Sequence, residues 1–243
     1  MAPTCGLLLI DLRLDSHHLV TPITAKSRTK TYAEMELSHR PVLSDARLTQ
    51  EVTDMRVLIV YASRYGSTQG IAERIAATLE KRGLETTLQS VKDADDPARY
   101  DALVIGSAAY YFHWMKRASE YVRRHRSALG QRPVWLFSSG PLGTKLTDDQ
   151  GRDVRETTIP KEIAEFQEII HPREHRVFFG ALRGKKLSLF HRLIFNMPAA
   201  RDAMPDGDFR DWADIDSWAA KIANQLHMIQ KTAHAAWEAE ALV

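Results

Sequence analysis

From Met55 onward the chain alternates short aliphatic runs with longer segments whose apolar residues recur every three or four positions. The aliphatic runs predict strands at Arg56–Tyr61, Thr86–Val91, Ala102–Ser107, Val134–Ser138 and Arg176–Ala181. Thr86–Val91 is the most polar of the five, which suits a sheet edge. A helix is expected over Thr68–Arg82, with Ile71, Ile75 and Leu79 facing inward and Gly83 ending it. A second is expected over about Trp114–Leu129. A last one runs from about Asp211 to Leu226, where Trp212, Ile215, Ala219, Ile222 and Leu226 share a face and Asp211 caps the start. Strand and helix in strict alternation point to a parallel sheet with helices on both faces.

The turn between the first strand and its helix, Ser63-Arg64-Tyr65-Gly66-Ser67-Thr68, carries the strongest functional signal. Backbone N–H groups at a helix N-terminus lack partners and the helix dipole is positive there, so a phosphate is well placed. Ser63, Ser67 and Thr68 add hydroxyl donors, and Gly66 allows close backbone approach. Arg64 either reaches the phosphate or points to solvent. Two other phosphate motifs fail on residues. The dinucleotide fingerprint needs three glycines, whereas Gly66 and Gly70 have no third. The run Gly180-Ala-Leu-Arg-Gly184-Lys185-Lys186 is one residue short of a Walker loop and ends in lysine. A phosphate monoester held by hydroxyls and backbone suits FMN.

Val57–Thr68 resembles the opening strand and FMN-phosphate loop of the flavodoxin family. That resemblance implies a doubly wound, five-stranded parallel sheet of order 2-1-3-4-5. It also implies flavin-ring contacts from two further loops. One contains Ala108, Ala109, Tyr110 and Tyr111, within Ser107–Trp114. The other is Ser138, Ser139, Gly140, Pro141, Leu142 and Gly143. Aromatic side chains there can stack on the flavin, and backbone groups can bond its polar edge.

Later features narrow the likeness. Gly180-Ala181-Leu182-Arg183, an inserted arm over Gly184–Arg210, and Asp211-Trp212 opening the last helix resemble the menaquinone-dependent protoporphyrinogen IX dehydrogenases of flavodoxin type. The likeness covers about residues 55–227. It implies removal of electron pairs from a reduced substrate onto FMN and their transfer to a quinone; protoporphyrinogen would need three such rounds. The flavin does the chemistry, so no acid or base is assigned.

Bulk properties bound the alternatives. The chain has 243 residues with a formal net charge of +2, so its charge balance does not call for nucleic acid. A single cysteine, Cys5, excludes an intrachain disulfide or a multi-cysteine zinc site. No apolar run approaches a membrane span, and no signal peptide is evident, so a cytoplasmic location is expected. Residues 1–54 show no sustained period and read as a disordered extension or an upstream start, with Met55 initiating the working protein; 228–243 read as a helical tail. The arm at 184–200 mixes Lys185, Lys186, His191 and Arg192 with leucines and phenylalanines. Such a segment can lie on a membrane's inner face, cover the flavin site, or join a second copy of the chain.

Other clusters have plainer readings. Lys116, Arg117, Arg123, Arg124, Arg126 and Arg132 read as a solvated helix face. His171 and His175 have metal-like spacing interrupted by Pro172, and the aspartates from Asp206 to Asp216 lack a calcium-loop spacing. A flavodoxin-type carrier between protein partners is the alternative function, and a module without flavin a third. Carriers of this fold are usually acidic, and the intact hydroxyl turn argues against loss of the cofactor.

Overall fold

The computed structural model describes residues 55–182 and 205–241. Residues 1–54, expected as an extension or upstream start, and the arm expected at 184–200 lie outside the described residues.

The elements follow in the order β1 (Arg56–Ala62), α1 (Ser67–Glu80), β2 (Glu85–Ser90), β3 (Ala102–Tyr110) and β4 (His113–Trp114). Next come α2 (Lys116–Arg124), α3 (Arg126–Leu129), β5 (Val134–Ser139), α4 (Val154–Thr157), α5 (Glu162–Ile170) and β6 (Glu174–Phe178). The chain closes with β7 (Ala181–Leu182), β8 (Gly207–Asp208) and α6 (Trp212–Ala241). Five parallel strands stand in the order β2-β1-β3-β5-β6. Counted along the chain this is 2-1-3-4-5, the expected doubly wound order. Polar β2 takes the edge, as its composition predicts.

β1 shows why helices are needed on both sides. Side chains alternate across a strand, so Val57 and Ile59 enter a core with α1 and α6, while Leu58 and Val60 enter another with α2, α3 and α5. All four are fully buried. Burial of each such side chain is worth about 1.5–3 kcal/mol. In the first core Trp218 packs edge to face against Phe137 and Phe178, its centroid 5.5 Å from that of Phe178.

Several boundaries differ from the sequence expectation. β3 does not stop at Ser107 but runs to Tyr110 and turns back as β4, whose Trp114 pairs with Ala109. Trp114 is therefore a strand residue, and the helix expected from it begins at Lys116 and breaks at His125. The last parallel strand begins two residues early, at Glu174, because its register with β5 places Glu174 opposite Trp135. It ends at Phe178, and Ala181–Leu182 leaves the sheet to pair with β8. α5 was not anticipated; its inward residues, Ile163, Phe166 and Ile170, are only three in nine. α6 outlasts its buried face, which ends at Leu226, because the Ala- and Glu-rich residues beyond are strong helix formers. Its cap is the expected one: Ala213 and Asp214 N–H both donate to Asp211 Oδ1 at 3.0 Å.

One polar chain crosses the sheet. Trp114 Nε1–H donates to Ser138 Oγ at 2.7 Å, and Ser138 Oγ lies 2.8 Å from His175 Nε2. Burial lowers the His175 pKa to about 4. The unfolded chain takes up this proton near pH 6.5 and the fold resists it. Stability present at neutral pH is therefore lost as pH falls from about 6.5 through about 4. His175→Gln should flatten that loss by on the order of 2–3 kcal/mol, measured by urea unfolding across the window. Unchanged pH dependence in the variant would refute this account. A second test concerns Gly106, where an added Cβ would overlap the ring of Phe137 on the neighbouring strand. Gly106→Ala should cost about 1–3 kcal/mol by overpacking, read from the same unfolding curves.

Candidate functional site

The carboxyl ends of β1, β3 and β5 lie side by side and face the start of α1, the position where open α/β sheets bind ligands. The turn after β1 is shaped by its own residues. Gly66 N–H donates to Ser63 Oγ at 3.0 Å, and Gly66 sits at φ +90°, a conformation that favours glycine. Gly70 N–H then donates to Gly66 O at 3.1 Å, the first bond of the helical ladder. No side chain caps this helix start, and its first turn holds no acidic residue. The positive end of α1 is thus left open to an anion.

Three hydroxyls surround that end. Ser63 accepts from Gly66 and keeps its own proton to donate. Ser67 Oγ accepts the Ala181 N–H at 2.7 Å and stands 3.3 Å from Ser139 Oγ. The Thr68 hydroxyl is buried and meets no hydrogen-bond partner among the described residues. A buried donor without a partner costs about 1–3 kcal/mol, so this one marks where a ligand's acceptor would be stabilising.

A cleft opens from this turn. Of the residues singled out from the sequence, Ser63, Tyr65, Ser67, Thr68, Ala108, Ala109, Tyr110, Ser139, Gly140 and Leu142 line it. The others do different work. Arg64 is exposed and lies over the Tyr65 ring, 5.6 Å from its centroid. Gly66 shapes the turn. Ser138 is turned to the opposite face of the sheet, where Trp114 and His175 hold its hydroxyl. Pro141 accepts from Gly180 N–H through its carbonyl at 2.8 Å, and Gly143 adopts φ +98° in the loop that follows. Tyr111 is 93% exposed at the β3–β4 turn, outside the cleft. Desolvation, with the neighbouring Tyr65 adding and Arg64 opposing, pushes the Tyr110 phenol up to about 12, so it stays a protonated donor at neutral pH.

Gly180, Ala181 and Leu182 also line the cleft and were not expected there. The bonds from Gly180 to Pro141 and from Ala181 to Ser67 draw this segment across from the far strand. A glycine near the end of the predicted strand Arg176–Ala181 was the available signal. Arg210 was missed as well. Its guanidinium lies 4.3 Å from the Trp212 centroid, pairs with Asp208, and donates to the carbonyl of Ser67 at 3.4 Å. A side chain at Gly70 would displace it.

The remaining clusters resolve into structural pairs. Arg123 forms a two-pronged pair with Glu165 at 2.8 and 2.7 Å, and Arg132 donates to the carbonyls of Tyr100, Ala128 and Ala98. Asp216 pairs with Arg74 at 2.6 Å and Asp214 with Arg176. His171 ends α5 at φ +46° while His175 bonds Ser138, so the two histidines serve different ends. Among the described residues no helix is long and apolar enough to cross a membrane.

Comparison with known proteins matches the same residues. The family model described as Flavodoxin domain covers residues 58–206, more than half of the chain. The protoporphyrinogen IX dehydrogenase (quinone) of Escherichia coli strain K12 is 25% identical over 177 residues, 70% of this chain and 96% of that protein. A protein of the same name from Leishmania major is 23% identical over 176 residues, 69% of this chain and 74% of that one. Among solved structures, a flavodoxin from the domain Archaea is 16% identical with a TM-score of 0.45, covering 71% of this chain and 99% of that one. With the strand order, the hydroxyl-lined turn and the family match all falling on one stretch of residues, the chain belongs to the flavodoxin-domain family.

Proposed function

We propose that this chain binds FMN in the cleft and acts as a redox enzyme, passing electrons from a small reduced substrate to a quinone. The observation that carries the reading is the start of α1: uncapped, free of acidic residues, and ringed by Ser63, Ser67 and the partnerless hydroxyl of Thr68. A phosphate monoester has the acceptors to satisfy all of these donors at once. Among the described residues no lysine or arginine lines the cleft, so the donors there are neutral hydroxyls and amides aided by the helix dipole.

Ser63, Ser67, Thr68 and the α1 amides would hold the phosphate. Tyr65, Tyr110 and the backbone of Ser139–Leu142 would flank the ring, with Gly180–Leu182 closing the side toward β6. Bound there, FMN supplies two-electron redox chemistry. The chain's own residues would hold and orient it there. In the net reaction the reduced substrate loses two electrons and two protons, and the quinone gains both and leaves as quinol. Protoporphyrinogen IX is the proposed substrate, supported by the two relatives that carry that name and by the near-complete coverage of the Escherichia coli protein. We also take 55–227 as the working domain, with the exposed end of α6 as its tail.

Thr68→Val keeps the shape and removes the donor. It should weaken FMN about 10- to 100-fold, the worth of one hydrogen bond to a charged group, and leave riboflavin, which lacks the phosphate, unaffected. Fluorescence quenching on titration measures both. Equal losses for both flavins would count against the assigned phosphate site. Anaerobic oxidation of protoporphyrinogen with menadione as acceptor tests the reaction. Reconstituted protein without a flavin absorbance spectrum would sink the whole reading.

A further inference from the structure

Arg210 stands where a cation is ordinarily unfavourable. Its guanidinium lies against the first turn of α1 and donates to the carbonyl of Ser67 at 3.4 Å. It also directly precedes Asp211, the cap of α6. Both places are helix starts, where the dipole is positive and disfavours a cation. The side chain is only 11% exposed, so water screens it little. Asp208 offsets part of the charge through a two-pronged pair, with its Oδ1 2.7 Å from Nε. The ring of Trp212 covers one face of the guanidinium, its centroid 4.3 Å away.

α1 leaves room for this arrangement. Gly70 lies inside the helix, where glycine is the least favoured residue after proline. A Cβ at Gly70 would come within 2.4 Å of Arg210 Nη1. The guanidinium can yield to it only by moving off Asp208, Trp212 and Ser67 together. Gly70 and Arg210 are therefore a fitted pair.

What the pair holds is Ser67, the first residue of α1. Its carbonyl takes Arg210, its hydroxyl accepts the Ala181 N–H at 2.7 Å, and Ser139 Oγ stands 3.3 Å away. Thr68 follows, with its hydroxyl fully buried and no hydrogen-bond partner among the described residues. A buried donor of that kind calls for an acceptor from outside the chain. A phosphate supplies one and also offsets the positive charge gathered at the two helix starts.

We propose that Arg210 is a positioning residue for the flavin phosphate: from behind the cleft it fixes Ser67, and its charge favours a bound anion. The inference rests on the FMN reading above and adds a determinant that is not part of the cleft wall. A brace that served folding alone would affect every flavin alike. One that serves the phosphate separates FMN from riboflavin.

Arg210→Ala should weaken FMN about tenfold and leave riboflavin within about twofold of the wild type, measured by fluorescence quenching. Gly70→Ala displaces the guanidinium without removing it and should produce the same split between the two flavins. Added to Arg210→Ala, the Gly70→Ala change should cost no further FMN affinity. It should there raise the melting temperature by about 2–4 °C, since alanine replaces a helical glycine whose neighbour is gone. Equal losses for FMN and riboflavin make Arg210 a brace of the fold and overturn the proposal. Wild-type FMN affinity in Arg210→Ala overturns it too, as does a further FMN loss in the double variant. Should Arg210→Ala not fold, Gly70→Ala carries the same flavin comparison. The underlying reading fails differently, because the wild-type protein would then bind no FMN.

Discussion

Everything in this molecule hangs on β1 being enclosed on all sides. It is hydrogen-bonded to β2 along one edge and β3 along the other, and covered by helices on both faces. A strand so placed can leave the sheet only at its end. The chain must turn there within a few residues, from Ala62 to the start of α1 at Ser67. The N-cap position falls on Gly66, which has no side chain to cap the helix, so the first amides of α1 are left without a side-chain partner. The cleft at the end of the sheet thus follows from the enclosure of β1.

Ser67 links that cleft to the far side of the sheet. Its hydroxyl takes the amide of Ala181 and faces Ser139, while its carbonyl takes Arg210. Both roots of the inserted arm, at β7 and just past β8, therefore meet one residue of the turn. The opposite face has its own tie, the Trp114–Ser138–His175 chain, which joins β4, β5 and β6. Adjacent serines thus serve opposite faces: Ser139 belongs to the cleft and Ser138 to the core. The alternation of side chains across a strand makes that division, and it is invisible when Ser138-Ser139 is read as a loop.

The sequence was legible where local pattern and tertiary context agree. Fully buried strands announce themselves as aliphatic runs, and the strand order follows once the turn after β1 is recognised. The hydroxyl turn was legible for the same reason, since Ser63, Ser67 and Thr68 lie close in the chain and line one cleft. Legibility failed where pairing across space set the boundary. The extension of β3 to Tyr110 depends on β4 folding back on it, and the start of β6 at Glu174 depends on its register with β5. α5 was hidden because three inward residues in a short helix make a weak period.

By itself, then, the sequence determined the alternation of strand and helix, the buried parallel sheet, and the hydroxyl-rich turn at Ser63–Thr68. These follow from hydrophobic periodicity and from backbone chemistry at a helix start, both local properties of the chain. Only the tertiary structure decided which serine faces the cleft, that Gly180–Leu182 forms one of its walls, and that Tyr111 stands outside it at the β3–β4 turn. Those are matters of register and of contacts between residues distant in the chain, about which neighbouring residues carry no information.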